Sequence, residues 1–172
     1  MIVYYFREDF RNVTEFYYNI ILNALKQKGV ECKMLDQCNL GTAKKIRKND
    51  FVLATTLRSF LILYIAGVRN FIYWYQGITP EENYMMLKSK WRYYLYSYLE
   101  KLSLKVVRYK IGVSKYLFKH FEDKYNIKID RNTVFIMPCF NSELNEDSFL
   151  TPGKYEKNIF CYAGGTQAWQ GF

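Results

Sequence analysis

Polar residues that could bind a ligand follow the apolar run Phe71–Tyr75. A run of large apolar and aromatic residues of this length is typical of a strand that is buried on both faces of a parallel sheet. Gln76 and Gly77 come next and predict a turn. In open α/β sheets, ligands bind at the carboxyl ends of strands and at the helix amino termini beside them. We therefore predict that Gln76 and Gly77 lie in a ligand-binding turn.

The residues after this turn predict a capped helix. Thr79 is expected to be the N-cap, Pro80 takes the first helical position, and Glu82 stands three residues after Thr79, which is the spacing of a capping box. Because the box would engage Glu82, the carboxylate of Glu81 is left free to meet a ligand. The alternative interpretation is a well-capped helix after a buried strand, with no ligand.

A second group of charged residues follows the predicted first strand, Ile2–Phe6. Arg7, Glu8 and Asp9 would lie at the carboxyl end of that strand and face the same crevice. In that position Arg7 could meet a phosphate, and Asp9 or Glu8 could meet a sugar hydroxyl. The alternative is a solvated loop that contains a salt bridge.

The segment 88–110 is strongly basic, with seven Lys or Arg residues and one acidic residue. As an ordinary amphipathic helix it would pack an aromatic stripe on the sheet and keep its lysines in water. That stripe consists of Trp91, Tyr94, Leu95, Tyr98 and Leu102. Alternatively, a surface built from Lys88, Lys90, Trp91 and Arg92 lies on anionic lipid. Basic and aromatic residues also interleave in RNA-binding proteins, but no RNA-binding signature is present and nucleic acid is not the expected partner.

Composition limits the class of protein. The 172 residues fit one domain with a sizeable core, and half of them are hydrophobic. The net charge of +9 favours anionic partners. Four cysteines without C-x-x-C spacing, together with a single histidine, predict reduced thiols and no metal site. The sequence shows no secretory signal, and its longest apolar run, residues 60–68, is far shorter than the ~20 residues that span a bilayer. We expect a cytoplasmic protein that can lie at the inner face of the membrane.

Strand patterns alternate with helix patterns along the chain and predict an α/β fold with a parallel sheet. Further strands are expected at residues 30–35, 50–55, 106–113 and 133–137. Short helices are expected at 12–28, 43–48, 57–66 and 115–124, and one long helix at 80–104.

The last part of the chain predicts a second domain. Residues 143–158 are polar and carry no clear periodicity, and residues 159–163 then predict a strand that ends in Gly164 and Gly165. A glycine turn of this kind normally precedes a helix. We expect residues 1–142 to form one domain, 143–158 a linker, and 159–172 the first strand and glycine turn of a truncated second domain. The alternative is a strand added to an edge of the first sheet.

Three segments of the chain resemble the amino-terminal half of GT-B glycosyltransferases, especially the large retaining family four. They are Val113-Ser114-Lys115-Tyr116-Leu117, then Ile136-Met137-Pro138 with Asn141 and Phe149, and last Tyr162-Ala163-Gly164 with Trp169-Gln170-Gly171. The resemblance lies in the order and spacing of these segments and covers nearly the whole chain.

This resemblance implies a fold, an activity and a set of partners. The fold is a Rossmann-like parallel sheet with helices on both faces, which binds the acceptor and faces a donor-binding domain. The activity is transfer of a sugar from a nucleoside-diphosphate sugar to a glycan or lipid-linked acceptor, in surface polysaccharide assembly, with no cofactor and no metal in the site. The acceptor side would comprise Arg7, Asp9, Gln76, Gly77 and Glu81, and the donor-side loop Gly164 and Gly165. This chain alone is expected to be inactive.

The chain departs from the resembled family at several positions, and the glycine-rich turn that often follows the first strand is replaced by Phe6-Arg7-Glu8-Asp9. Gln76 stands where many members have a histidine, and Gly165 and Gln170 stand where many have an arginine and a lysine that hold the donor diphosphate. A glutamine forms hydrogen bonds but cannot shuttle a proton, so the turn is expected to position a sugar. The rival interpretations are a non-catalytic subunit, which recruits acceptor or membrane for a partner with the donor domain, and a basic protein that binds RNA or anionic lipid.

Overall fold

The computed structural model describes residues 1–7 and 13–137. Strands and helices alternate along the chain, as the sequence patterns predict. The first part contains β1 (Ile2–Phe6), α1 (Val13–Gln27), β2 (Glu31–Leu35), α2 (Leu40–Ala43), β3 (Phe51–Ala54), α3 (Leu57–Ile65) and β4 (Phe71–Tyr75). It is followed by α4 (Thr79–Leu87), α5 (Lys90–Val106), β5 (Tyr109–Gly112), α6 (Lys115–Tyr125), a 3-10 turn (Arg131–Thr133) and β6 (Val134–Ile136).

The six strands form one parallel sheet in the order β2-β1-β3-β4-β5-β6. This confirms the predicted Rossmann-like α/β fold. The chain first moves from β1 outward to β2, and then returns past β1 to add all later strands on the other side. Sheets of this kind bind ligands in the crevice at the carboxyl ends of the strands, where the direction of winding reverses.

Helices cover both faces of the sheet. On one face, α3, α5 and α6 enclose a core whose fully buried residues include Phe60, Phe71, Phe118 and Phe121. On the other face, α1 packs the rings of Tyr17 and Tyr18 edge-on against Trp74, with ring centroids 5.8 and 6.0 Å apart. Beside α1 this second face carries an apolar groove of about 520 Å³.

Strand β4 is buried on both faces, as its composition predicts. Phe71, Tyr73, Trp74 and Tyr75 are each at most 3% exposed. Side chains alternate across a strand, so Tyr73 and Tyr75 join the core under α3, α5 and α6 while Trp74 joins the core under α1. The strand therefore holds the turn at Gln76 at the centre of the sheet.

The prediction of one long helix at residues 80–104 is wrong, because this part of the chain forms two helices, α4 and α5. Lys88 adopts the left-handed conformation (φ 50°, ψ 24°) and its backbone N–H donates to the carbonyl of Tyr84, which ends α4. Ser89 is extended and α5 starts at Lys90. The break lets the two helices pack on each other, with the rings of Tyr84 and Tyr93 edge-on at 5.8 Å.

The short helix expected at residues 43–48 is also displaced. Helix α2 begins at Leu40, because the side chain of Asn39 accepts from the backbone N–H of Thr42, and the Thr42 hydroxyl accepts from the backbone N–H of Asn39. This reciprocal pair is a capping box, and it fixes the helix start earlier than the basic run suggested.

Several predictions fall on residues outside the described part of the chain. They are the domain boundary at residue 142, the linker 143–158, the last strand with Gly164 and Gly165, and the loop residues Glu8 and Asp9. Within residues 1–7 and 13–137, none of the helices has both the length and the apolar character that crossing a bilayer requires.

Candidate functional site

A cavity of about 310 Å³ lies at the carboxyl ends of β3 and β4. It is lined by Thr55, Leu57, Tyr73, Trp74, Tyr75, Gln76, Gly77, Thr79, Glu82 and Glu100. The predicted turn residues Gln76 and Gly77 are therefore both part of its wall. The volume is at the lower end of the range of small-molecule sites, which is about 300–1,000 Å³. A cavity of this size fits one or two small rings.

The predicted capping box at Thr79 is wrong. Helix α4 already includes Thr79, its N-cap is Ile78, and no side chain caps it. The first backbone bond of the helix runs from the N–H of Glu82 to the carbonyl of Ile78. Because the Glu82 side chain takes no part in capping the helix, its carboxylate lies over Gly77. A Cβ atom at Gly77 would collide with that carboxylate.

Glu81 is held in an ion pair, which reverses the expectation that it is the freer of the two carboxylates. Lys124 of α6 approaches Glu81 with its Nζ 2.7 Å from Oε1 and 2.9 Å from Oε2. The phenol of Tyr93 also points at this carboxylate, at 3.5 Å. Glu81 does not line the cavity. The carboxylate that the α4 amino terminus offers to a ligand is therefore that of Glu82.

Glu100 forms a buried wall of the cavity. Only 1% of this residue is exposed, and its Oε2 accepts 2.7 Å from the hydroxyl of Tyr125 and 3.4 Å from Nζ of Lys124. Burial raises the pKa of the Glu100 carboxyl to about 6, although the bonds from Tyr125 and Lys124 lower it. The same burial, with the Glu100 charge beside it, raises the pKa of the Tyr125 phenol.

One further lining group is available for hydrogen bonds to a ligand. The side chain of Gln76 is exposed at the end of β4, and its amide can both donate and accept. Trp74 also lines the cavity, but its ring packs under α1, on the other face of the sheet from Tyr73 and Tyr75. Its indole N–H is buried there and has no hydrogen-bond partner in the described part of the chain.

The described part of the cavity wall contains no cation. None of its described lining residues is a lysine or arginine, although the chain carries 25 of them. A group of cations instead lines a hollow of about 770 Å³ at the opposite, amino-terminal edge of the sheet. The basic residues of this hollow are Arg69, Lys105, Arg108, Lys110 and Lys128. Glu82 and Glu100 line the smaller cavity with carboxylates, which repel a phosphate group, so its composition favours a neutral polar ligand.

Arg7 lies at the carboxyl end of β1, as predicted, but apart from the cavity wall. Its guanidinium Nε is 3.6 Å from the Asp36 carboxylate at the end of β2, and both side chains are exposed. This geometry matches the alternative of a solvated loop with a salt bridge. An exposed pair of this kind contributes at most about 1 kcal/mol, so Arg7 could exchange Asp36 for a ligand at low cost.

The predicted basic surface at Lys88, Lys90, Trp91 and Arg92 lies on the turn after α4 and the start of α5, and all four side chains are exposed. The expectation that the aromatic stripe of α5 packs on the sheet is wrong. Trp91, Tyr94 and Tyr98 are 65–68% exposed. Helix α5 is anchored instead by its opposite side, through Leu99, Glu100, Ser103 and Leu104.

The sequence reasoning missed the roles of Glu82, Glu100, Lys124 and Tyr125. A signal for Glu100 was present, because it is the only acidic residue in the 17 residues of α5 and falls among its buried positions. A lone carboxylate on a buried helix face needs a partner, and Lys124 and Tyr125 supply it from α6. Among the described residues, no group of three His, Cys, Asp or Glu side chains could hold a metal ion.

The segment Val113–Leu117, which carries part of the resemblance, adopts the predicted strand-to-helix turn. Ser114 is the N-cap of α6, and its hydroxyl accepts from the N–H of Leu117 at 3.1 Å. No protein-family model matches the chain, and no curated protein matches it. Fold, cavity geometry and the resemblance of short segments are therefore the basis for assigning a function.

Proposed function

We propose that the cavity at the ends of β3 and β4 binds a sugar unit of an acceptor glycan or lipid-linked glycan, and that the chain is the acceptor-binding part of a glycosyltransferase. The observation that supports this most is the chemistry of the cavity wall. It offers hydroxyls, an amide and carboxylates, and its described lining residues include no cation.

A sugar matches this wall because each of its hydroxyls both donates and accepts a hydrogen bond. Gln76 can pair with two such hydroxyls, and Glu82 accepts from another. A neutral, polyhydroxylated ligand of one or two rings satisfies both the volume and the polarity of the cavity.

The nucleoside-diphosphate sugar would bind to a different domain. Its diphosphate needs several positive charges, and the cavity wall supplies none among its described residues. The resemblance of residues 159–172 to the start of a donor-binding domain also supports binding of acceptor and donor by separate domains. In the complete enzyme, Gln76 and Glu82 would orient the acceptor hydroxyl toward the donor, and correct orientation alone contributes much of the rate in such transfers.

Saturation-transfer NMR with the 172-residue chain tests this proposal. The probes are the methyl glycosides of glucose, galactose, mannose and N-acetylglucosamine, and UDP-glucose serves as the donor probe. At least one glycoside should receive saturation from the protein, and UDP-glucose should not. Gln76→Ala should weaken binding of that glycoside by about 2–10-fold, the range expected for one lost hydrogen bond.

Gln27→Ala is the matched control, because Gln27 is exposed at the last residue of α1, far from the carboxyl ends of the strands. It should leave the binding unchanged. Binding of UDP-glucose without any glycoside, or a glycoside affinity that is unchanged in Gln76→Ala, would contradict the proposal.

A further inference from the structure

Helix α5 presents its aromatic stripe to solvent. Trp91, Tyr94 and Tyr98 are 65%, 68% and 65% exposed, and Leu95 is 40% exposed. The spacing of these residues places all four on one side of the helix, because positions three and four apart are neighbours on a helical surface. The buried side lies opposite and carries Glu100, Ser103 and Leu104. The exposure is therefore a feature of the whole helix face.

The end of α4 extends this apolar surface. Met86 and Leu87 are 59% and 49% exposed in the last turn of α4, directly before the break at Lys88. We define the α4–α5 face as Met86, Leu87, Trp91, Tyr94, Leu95 and Tyr98. Soluble proteins rarely leave so many large apolar side chains exposed within one short segment, and such surfaces mark interaction sites.

Basic residues lie beside the α4–α5 face, and no acidic residue occurs in the same segment. Lys88, Lys90 and Arg92 are exposed, and none of them forms an ion pair within the described part of the chain. No aspartate or glutamate occurs between Glu82 and Glu100. The guanidinium of Arg92 lies 6.0 Å from the ring centroid of Trp91, so charge and aromatic surface are adjacent.

We propose that the α4–α5 face is a docking surface for an anionic lipid bilayer. Tryptophan and tyrosine rings favour the headgroup level of a bilayer, and aliphatic residues such as Met86 and Leu87 reach the acyl boundary below it. Lys88, Lys90 and Arg92 would pair with anionic headgroups. This inference is independent of the sugar-binding proposal, because none of these residues lines the cavity.

The charges favour a bilayer over the other possible occupants. A second copy of the chain would bring Lys88, Lys90 and Arg92 against cations like themselves, which opposes pairing of the face with itself. Bases of a single-stranded nucleic acid could stack on Trp91, Tyr94 and Tyr98, but they would leave the aliphatic half of the face, Met86, Leu87 and Leu95, without an apolar partner. A surface that combines aliphatic residues, amphipathic rings and unpaired cations is what an anionic membrane requires.

Co-sedimentation of the full chain with lipid vesicles tests this inference. One set of vesicles is pure phosphatidylcholine and the other contains 30% phosphatidylglycerol, a typical anionic content chosen for the assay. The chain should sediment with the anionic vesicles. Binding should fall by at least about tenfold in Lys88→Glu/Lys90→Glu/Arg92→Glu, because each cation near an anionic surface contributes substantially to the partition. It should fall similarly in Trp91→Ser/Tyr94→Ser/Tyr98→Ser.

Lys44→Glu/Lys45→Glu/Lys48→Glu is the matched control, since it makes the same charge change at exposed lysines in a segment that has no aromatic residue. This variant should retain most of the binding, and circular dichroism should show all variants folded. The absence of binding to anionic vesicles, or an equal loss of binding in the control variant, would overturn the inference. A dimer in sedimentation velocity that the Trp91→Ser/Tyr94→Ser/Tyr98→Ser variant abolishes would overturn it too. Binding of an RNA oligonucleotide in preference to the vesicles would also overturn it.

Discussion

The hydroxyl of Tyr125 donates a hydrogen bond of 2.7 Å to the buried carboxylate of Glu100. This bond joins the last turn of α6 to the buried side of α5. Lys124 extends the connection to α4, because its Nζ contacts both Glu100 and Glu81. Three helices are thus joined beside the cavity by two carboxylates, those of Glu81 and Glu100, which share Lys124. The arrangement keeps Glu100 in place as a wall of the cavity and occupies Glu81, so that Glu82 alone of the α4 carboxylates faces a ligand.

Removal of the Tyr125 hydroxyl should destabilise the protein. Tyr125→Phe leaves the buried Glu100 carboxylate without its shortest hydrogen bond, which costs about 1.5–3 kcal/mol of the free energy of unfolding, the range for bonds to charged groups. Urea denaturation at pH 7 measures it. Tyr116→Phe is the control, because Tyr116 is 69% exposed and should change stability by less than about 0.5 kcal/mol. Equal effects of the two substitutions would contradict the role of the bond.

Glu100 should make stability depend on pH. Its pKa is raised by burial to about 6 in the folded protein, from an ordinary value of 4.5. The folded state therefore binds the proton more tightly than the unfolded state, and the stability this gives is complete below pH 4.5 and is lost as the pH rises through 6. Glu100→Gln cannot titrate. Its free energy of unfolding minus that of the wild type should rise by about 2 kcal/mol between pH 4 and pH 7.

The other titrating groups are the same in both proteins, so their contributions largely cancel in this difference. Urea denaturation of both proteins across that pH range provides the measurement. A difference that stays constant with pH would show that Glu100 is ionised at its ordinary pKa.

Gly112 at the end of β5 should not tolerate a larger residue. A Cβ atom there would overlap the ring of Phe118, whose Cζ would lie 2.6 Å away. Phe118 is fully buried and cannot swing out. Gly112→Ala should therefore cost about 1–3 kcal/mol of the free energy of unfolding, as overpacked cores do. In a double-mutant cycle, Phe118→Leu should recover part of that loss; strictly additive effects would mean that the two residues do not compete for space.

The break between α4 and α5 should become more stable with a glycine at its centre. Lys88 is left-handed at φ 50°, a conformation that costs a residue with a Cβ atom roughly 1 kcal/mol or more. Lys88→Gly should raise the thermal midpoint. Lys101→Gly, the same exchange inside α5, should lower it, because glycine in a helix interior costs about 1 kcal/mol. A lower midpoint for both variants would show that residues 80–104 form one helix after all.

The sequence predicted those features that local patterns determine. The buried strand β4 and the turn at Gln76 and Gly77 followed from an uninterrupted apolar run with a glycine after it. The roles of Glu81 and Glu82 were exchanged because α4 starts without a side-chain cap, and adjacent helical residues point about 100° apart. The partner of Glu81 is Lys124, 43 residues later in the chain, and no local pattern could have identified it.

The aromatic stripe of α5 shows a second limit of the sequence. Its helical spacing correctly indicated that Trp91, Tyr94, Leu95 and Tyr98 share one side of a helix. Periodicity does not say which side meets the sheet, and here the less apolar side does so because Glu100 and Ser103 have buried partners in Tyr125 and Tyr75. Long-range hydrogen bonds thus decided the orientation of the helix against its simple hydrophobic pattern.

The most direct test of the sugar-binding cavity is a titration of the isotope-labelled chain with methyl glycosides, followed by amide chemical shifts. Shifts should cluster at residues 55–57 and 76–82, around the cavity. Gly77→Ala should weaken the binding without loss of fold, because its Cβ displaces the Glu82 carboxylate, a flexible group. Shifts confined to the basic hollow around Arg69, Lys105 and Lys128, or no shifts with any glycoside, would contradict the account.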